Sequence, residues 1–211
     1  MRLHDLQARC LDFVAKATAA DAAHDVLHIK RVLKNSLYLT EIEHVNPWIT
    51  VPAACLHDCV PVAKDSSLRS QGSRLAAAAA VDFLTSVVFP AELLDDVYHA
   101  IEAHSYSAGI QPRTPEARVV QDADRLDSLG AIGIARCLLV GGRLDRPLCD
   151  PDDPFCDQRS PDDASYTLDH FYAKLLKLPA TMQTAAGRAE AERRADLMRR
   201  YLDDLRQEIA R

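Results

Sequence analysis

Apolar side chains recur at three- and four-residue intervals through most of the chain, and strictly alternating runs are scarce. Such spacing gathers apolar residues on one face of an α-helix, whereas a half-buried strand alternates at every second residue. The pattern therefore predicts an all-α fold of about seven or eight helices. The sequence contains no internal repeat and no shift in composition that would mark a second domain.

The first three predicted helices carry the first candidate functional residues. Helix one covers about residues 3 to 19, and helix two runs from about residue 25 to residue 44. Pro52 near the first turn and Pro61 just past the end bracket helix three, which puts His57 and Asp58 in its last turn. His28 is predicted on the shoulder of the buried face of helix two, which consists of Val26, Ile29, Leu33 and Leu37.

The later helices are predicted from the capping and terminating residues at their ends. Residues 73 to 88 and 90 to 104 form the next two helices, and a helix over 114 to 130 begins with a Thr114 cap and ends at Gly130. A Pro- and Asp-rich segment from 145 to 164 predicts either a disordered excursion or a lid. A helical stretch near 166 to 178, a break at Pro179 and a helix of about thirty residues complete the chain.

Composition narrows the class of protein. The chain has 211 residues, of which 48% are hydrophobic and 27% are charged, as in soluble globular proteins. At this length folding buries roughly 70% of the unfolded surface, so a metal would serve chemistry and would not be needed to hold the fold. One domain over residues 1–211 is expected. The net charge of -6 argues against a protein that wraps duplex nucleic acid.

The cysteines and the apolar runs indicate the compartment. The six cysteines form no CxxC pair and no zinc-finger spacing, which predicts reduced structural thiols in the cytoplasm. The amphipathic N-terminal stretch does not resemble a secretory signal, and no apolar run approaches the roughly 20 residues of a membrane span. No membrane partner is expected, and whether the chain forms a homodimer stays open.

Four ionisable residues stand on or beside apolar helix faces: His28, His57, Asp58 and Asp124. Ionisable groups are costly there unless they are paired or bind a metal. Two imidazoles and two carboxylates suit a divalent ion such as Mn, Fe, Co, Ni or Mg better than a thiolate zinc site. Alternative interpretations are a hydrogen-bonded core histidine at each His position and, for Asp124, a carboxylate that faces Arg125 or solvent.

The stretches "HDVLHIKRV", "CLHDCV" and "QDADRLDSLGAIGIAR" together resemble the HD-domain metal-dependent phosphohydrolase superfamily, whose ligand order is His, His-Asp, Asp. The stretches "HSYSAG", "YTLDHFYAKLLKL" and "GRAEAERRADLM" are similar to its YedJ/YpgQ-like branch. The resemblance extends from about residue 20 to residue 205. It implies a helical HD-domain bundle, with an HD core at about 20–130 and C-terminal helices at about 165–210 packed on it.

The resemblance also implies the roles of the four residues. The metal ligands are expected to be His28, His57, Asp58 and Asp124. Asp127, three positions later, is the rival for the last role. Members of the superfamily with two metals have further histidines before the last aspartate, and His99 and His104 fall in that interval. Their five-residue separation fits one helix face poorly, so one divalent ion is expected, manganese first.

The expected reaction is hydrolysis of a phosphate ester or anhydride, because a divalent ion activates water and offsets phosphoryl charge. Asp58 is a candidate for orienting the water, and His104 or Glu102 for protonating a leaving oxygen. Phe171 or Tyr172 could stack on a base or fill the core. The candidate phosphate-binding cations are Lys64, Arg69, Arg125, Lys174 and Lys177, and the alternative for each is a solvated surface charge. The resemblance favours Lys64 and Lys174 among them.

Three functions remain at this stage. The resemblance implies a (deoxy)nucleoside triphosphate pyrophosphohydrolase, which releases a nucleoside monophosphate and pyrophosphate. The second hypothesis is another HD phosphohydrolase, such as a phosphomonoesterase or a cyclic-nucleotide phosphodiesterase. The third is a helical binding protein that keeps the metal site without catalysis. In the first two cases the partner is a small phosphorylated substrate.

Overall fold

The computed structural model describes residues 1–18, 26–60, 62, 69–105 and 108–209. These residues form nine α-helices and no β-strand, so the predicted all-α class is confirmed, with one helix more than expected. No helix among them is long and apolar enough to cross a membrane. The chain divides into two compact units, Met1–Asp124 and Arg125–Arg211. The domain boundaries expected from the sequence stay a prediction.

The first unit contains six helices and two short 3-10 segments. The 3-10 segments are Arg69–Gln71 and Ala91–Leu93. The helices are α1 (Leu3–Thr18), α2 (Val26–Ile42), α3 (Pro47–Leu56), α4 (Gly72–Ser86), α5 (Leu94–Glu102) and α6 (Pro115–Leu126), whose last two residues belong to the second unit.

Helix α3 is the centre of the first unit. It packs against α1, α2, α4 and α5. Every residue from Ile49 to Leu56 is buried, as expected for a helix that is apolar on all sides. Whatever follows Leu56 therefore starts inside the protein. The next two residues are His57 and Asp58.

The predicted start of α3 is wrong, because the helix begins at Pro47 and Pro52 lies in its interior. The Asn46 side chain accepts the N–H of Trp48 at 3.0 Å, and Pro47 at the first position lacks an N–H that would need a partner. Asn46 and Pro47 together therefore mark the start of the helix more strongly than Pro52 does. At the other end His57 is the C-cap, so His57 and Asp58 stand just past the helix.

The predicted buried face of α2 is partly wrong. Ile29 and Leu33 are buried, but Leu37 is 39% exposed. Asn35, Ser36 and Thr40 are buried in its place, and the Thr40 hydroxyl lies 2.8 Å from that of Thr50 on α3. Hydrogen-bonded polar residues on a packed face carry no apolar signal. The buried face predicted from the apolar pattern is therefore rotated about the helix axis relative to the face that is buried in the structure.

The second unit consists of three helices and a 3-10 segment: α7 (Gly130–Arg143), α8 (Asp169–Ala173), Leu175–Thr181 and α9 (Ala185–Ile209). Helix α9 packs on α7 and on the 3-10 segment. The sequence predicts that Gly130 terminates a helix over 114–130. In the structure Gly130 instead begins α7, with a φ of 70°. This left-handed conformation, which glycine adopts without strain, separates α6 from α7. Pro179 lies within the 3-10 segment.

The segment from 145 to 164 is an ordered series of turns. The Asp153 carboxylate accepts the N–H groups of Asp157, Gln158 and Arg159 at 2.9 to 3.1 Å. The Arg159 guanidinium pairs with the fully buried Asp169. These bonds fix the segment within the second unit, so the disordered alternative is wrong.

Replacing each of two adjacent glycines of α7 with alanine should change the free energy of unfolding in opposite directions. A Cβ at Gly141 would overlap the buried Thr167 side chain, whereas a Cβ at Gly142 would meet open space. Gly141→Ala should lower the free energy of unfolding by about 1–3 kcal/mol through overpacking. Gly142→Ala should raise it by about 0.5–1 kcal/mol, because alanine is the better helix former. Urea denaturation measures both, and equal shifts of the same sign would contradict this packing.

Candidate metal centre

Four side chains of the first unit converge at the end of α3. The Nε2 atoms of His28 and His57 lie 3.3 Å apart. Asp124 Oδ1 is 3.4 Å from His28 Nε2 and 3.9 Å from His57 Nε2. Asp58 Oδ2 is 3.7 Å from His57 Nε2 and 3.9 Å from His28 Nε2. The structure therefore brings together all four residues that the sequence singled out.

Three helices supply these groups. His28 lies in the first turn of α2, His57 and Asp58 follow α3, and Asp124 lies near the end of α6. The close packing of α2 on α3 brings His28 to the end of α3. The buried Asn35 amide donates to the carbonyl of Ala123 at 3.0 Å, which ties α2 to α6 beside Asp124.

His57 is completely buried and has a defined orientation. Its Nδ1 lies 2.9 Å from the carbonyl oxygen of Ala54, which can only accept a hydrogen bond. Nδ1 is therefore protonated, and in the neutral ring the lone pair of Nε2 faces the cluster. Metal-binding histidines are oriented in this way by a partner on their other ring nitrogen.

His104 adjoins the cluster with the same ring arrangement. Its Nδ1 donates to the carbonyl of Ile101 at 2.6 Å, and its Nε2 lies 3.6 Å from Asp58 Oδ1. The rings of His104 and His57 are in edge contact, with centroids 4.8 Å apart. His104 can thus exchange a proton with a group at the centre.

The charges at the centre shift the pKa of each group in a definite direction. Burial lowers the pKa of His57. Burial alone would raise the pKa of Asp58, but the neighbouring His57 and His104 outweigh it and hold that pKa well below its usual value. Burial would lower the pKa of His104, but the Asp58 carboxylate overcomes this and raises it. Opposite shifts in two touching imidazoles suit one to bind and the other to carry a proton.

Asp124 and Asp127, the two candidates for the last metal ligand, have different partners in the structure. The Asp127 carboxylate is almost fully buried and pairs with the guanidinium of Arg136 on α7. Asp124 is one turn earlier and is the one that contacts His28. A carboxylate held by an arginine is charge-balanced already, so Asp124 is the free acceptor of the two for a cation.

Glu102 and His99 form a separate network. His99 Nδ1 lies 3.1 Å from a Glu102 carboxylate oxygen, and His99 Nε2 accepts the backbone N–H of Arg113 at 2.9 Å. The other Glu102 oxygen lies 3.8 Å from Arg74 Nε. Both ring nitrogens of His99 therefore have protein partners.

The structure describes four of the five predicted phosphate-binding cations. Lys64 lies outside the described residues, and Arg69 begins the short 3-10 segment before α4. Arg125 donates to the carbonyl of Thr181 at 2.5 Å within the second unit. Lys174 and Lys177 are exposed residues of that unit. Their roles toward a substrate stay predictions.

Two residues beside the centre were missed by sequence reasoning. Asn35 connects α2 with α6, and the buried Gln121 donates from Nε2 to the carbonyl of Ala103 at 2.6 Å. A polar amide on an otherwise apolar helix face is the signal that could have found them. Only the fold shows that their partners are backbone carbonyls next to Asp124 and His104.

Comparison with known proteins identifies relatives along nearly the whole chain. Residues 25–129 match the family model described as HD domain. The YpgQ protein of Bacillus subtilis (strain 168) is 31% identical over 196 residues, which cover 91% of this chain and 87% of that protein. A solved HD-superfamily hydrolase from Bacillus thuringiensis is 34% identical, with 98% of each chain covered and a TM-score of 0.78. A structure of B. subtilis YpgQ in complex with ADP is 30% identical, with 95% of each chain covered and a TM-score of 0.73.

The opposite pKa shifts can be checked by NMR titration of the histidines in metal-free protein. His104 should titrate above the ordinary histidine value of about 6.5, and His57 below it. Asp58→Asn removes the main charge that raises the pKa of His104, which should then fall. A raised pKa means that protonated His104 stabilises the fold at low pH, and that this stabilisation is lost as pH rises through the folded value.

Asp163→Asn is the matched control for this titration. Asp163 pairs with His170 at 2.7 Å in the second unit. The control should leave the pKa of His104 unchanged. A His104 pKa that does not move in Asp58→Asn would contradict the pairing described above.

Proposed function

Because the chain belongs to the HD domain family of metal-dependent phosphohydrolases, we propose that it is a (deoxy)nucleoside triphosphate pyrophosphohydrolase. The reaction gives a nucleoside monophosphate and pyrophosphate. The single observation that carries the proposal is the convergence of two imidazoles and two carboxylates from three helices at the buried end of α3.

In this proposal His28, His57, Asp58 and Asp124 hold one divalent ion. One ligand atom from each of His28, His57 and Asp58 lies within 4.8 Å of the other two, and Asp124 Oδ1 lies 3.4 and 3.9 Å from the two imidazoles. These side chains would hold the ion through two nitrogen and two oxygen donors. The mixed nitrogen and oxygen donors favour Mn²⁺, with Mg, Fe, Co and Ni as alternatives.

A bound divalent ion lowers the pKa of water and offsets charge on a phosphoryl oxygen. The chain's own residues direct the rest of the reaction. A water oxygen bonds to the α-phosphorus while the bond from that phosphorus to the pyrophosphate oxygen breaks. Asp58 orients the water by accepting its hydrogen bond, and His104 gives its proton to the leaving oxygen and regains one from the water that is consumed.

The position of His104 supports its role as the acid, since its Nε2 lies 3.6 Å from Asp58 Oδ1 while its Nδ1–H is held by the carbonyl of Ile101. Glu102 is the alternative acid. Its contacts with His99 and Arg74 favour a supporting role, because they direct its oxygens toward groups other than Asp58. His104 is therefore the preferred donor.

The nucleotide part of the proposal is supported by the YpgQ structure with ADP, a protein 30% identical to this chain. A di- or triphosphate needs cations in addition to the metal, and the candidates are Lys64, Arg69, Arg125, Lys174 and Lys177. Of these, Lys174 and Lys177 are solvent-exposed, as a residue that meets a diffusing substrate must be. The proposed partner is a free nucleotide.

Turnover should depend on the four ligands and on added metal. Purified protein with Mn²⁺ is incubated with a panel of nucleotides, and phosphate is measured by malachite green with and without added pyrophosphatase. Signal only with pyrophosphatase is expected, because the product is pyrophosphate. Phosphate without pyrophosphatase would indicate a phosphomonoesterase or nucleotidase instead.

The double variant His57→Ala, Asp58→Ala should lose at least about 100-fold in kcat, since even outer partners of a metal are worth 10–100-fold. It should also lose Mn²⁺ binding by calorimetry. The chain offers a matched control in its other described His-Asp pair, His4 and Asp5, at the start of α1. The same double change there should leave turnover and metal affinity as in the parent. Parental turnover in the first variant would refute the metal-site account.

A further inference from the structure

Gln121 on α6 is a buried residue with half of its hydrogen-bonding capacity unaccounted for. It is 2% exposed, and its Oε1 has no hydrogen-bond partner among the described residues. Its Nε2 donates to the carbonyl of Ala103, which fixes the orientation of the amide. A buried acceptor without a donor costs about 1–3 kcal/mol, and such acceptors in native proteins are generally satisfied by a water or a ligand.

The location of Gln121 connects it to the candidate metal centre on two sides. It precedes Asp124 by three residues on α6, so their Cβ atoms are about 5–6 Å apart on one face. Its partner Ala103 directly precedes His104, whose Nε2 lies 3.6 Å from Asp58 Oδ1. Gln121 therefore lies between the helix that carries Asp124 and the chain that carries His104.

The bond to Ala103 also has a structural reason. The last carbonyls of a helix lack partners within the helix. At the end of α5, the Ile101 carbonyl is taken by the His104 ring and the Ala103 carbonyl by the Gln121 amide. The amide nitrogen thus holds the backbone next to His104, and the carbonyl oxygen is left to bind something else.

The chemistry of that second partner is restricted. An amide oxygen accepts a hydrogen bond or binds a cation, so the partner is either a hydrogen-bond donor or the metal ion itself. Carboxylates and ionised phosphate oxygens carry no hydrogen to donate, whereas a water molecule carries two. Buried waters of this kind make about three hydrogen bonds to otherwise unsatisfied polar groups.

We propose that Gln121 is a positioning residue for a water molecule at the metal centre, with Oε1 accepting one of the water's hydrogens. The water's second hydrogen is then available to Asp58 or Asp124, and its lone pair points away from Gln121 toward the substrate phosphorus. The assignment of this water to hydrolysis rests on the proposed function, but its presence does not. Gln121 would set the direction from which the water reacts.

The direct test is crystallography of the full chain, grown with and without Mn²⁺. Density for a water within hydrogen-bonding distance of Gln121 Oε1 is expected. An Oε1 with no water, or one bonded directly to the metal ion, would overturn the proposal. This result is independent of turnover, so a protein inactive on every phosphorylated substrate would refute the proposed function and leave this test intact.

The kinetic test compares Gln121→Met with a matched control. Methionine keeps the length of the side chain and removes the amide. The variant should lose about 10–100-fold in kcat with KM and Mn²⁺ affinity within about threefold of the parent, as for outer-shell residues that orient reacting groups. Turnover equal to that of the parent would overturn the role in positioning.

Ser73→Ala is the control, because Ser73 is also buried in the first unit and its hydroxyl also has no hydrogen-bond partner among the described residues. It lies on α4 and should keep the parental kcat. If Gln121→Met does not fold, Gln121→Asn replaces it in the kinetic test. Asparagine keeps both polar groups but shortens the reach, so kcat should fall in the same direction.

Discussion

The burial of α3 is the constraint on which the first unit depends. Its residues from Ile49 to Leu56 have no face toward solvent, so the chain leaves the helix still inside the protein. The next side chain, His57, is completely buried, and Asp58 follows it. Ionisable groups pay a large desolvation cost in such a place unless opposite charges or a cation surround them. The convergence of His28, His104 and Asp124 on this point offsets the desolvation cost.

The ends of helices orient the reactive rings. Helix termini leave carbonyls without intrahelical partners, and His57 and His104 each donate Nδ1–H to the carbonyl three residues earlier, at the ends of α3 and α5. One local geometry, used twice, turns both Nε2 atoms toward Asp58. Their electrostatic environments then shift the two pKa values in opposite directions. Burial lowers the pKa of His57, and the Asp58 carboxylate raises the pKa of His104.

Much of this arrangement could be predicted from the sequence, because it depends on residue patterns within single helices. The three-to-four-residue spacing predicts helices, the placement of His28, His57, Asp58 and Asp124 on or beside apolar faces makes them candidates, and the resemblance to the HD superfamily implies their roles as ligands. The errors occurred where tertiary packing overrides local patterns. Leu37 is exposed because hydrogen-bonded polar residues take its place on the buried face of α2.

Two other outcomes also needed the fold. Gly130 can end a helix or separate two helices, and only the backbone conformation shows that it begins α7. Likewise, only the fold shows that Asp127 is neutralised by Arg136, which lies nine residues further along the chain. Gln121 and Asn35 act through backbone carbonyls, which no side-chain pattern reveals.

The acidic segment of the second unit shows why carboxylates alone do not select a metal site. Asp153 uses both oxygens to accept backbone N–H groups, and Asp169 is neutralised by Arg159 and also accepts the N–H of Asp162. Their lone pairs are occupied by donors that a cation would have to displace. At the end of α3 the opposite holds: imidazole Nε2 atoms and carboxylate oxygens face one another at 3.3 to 3.9 Å. A proton or a metal ion at its centre stabilises such an arrangement, and this is why the cluster, with two carboxylates against the seven aspartates of residues 145–164, is the stronger candidate for binding a cation.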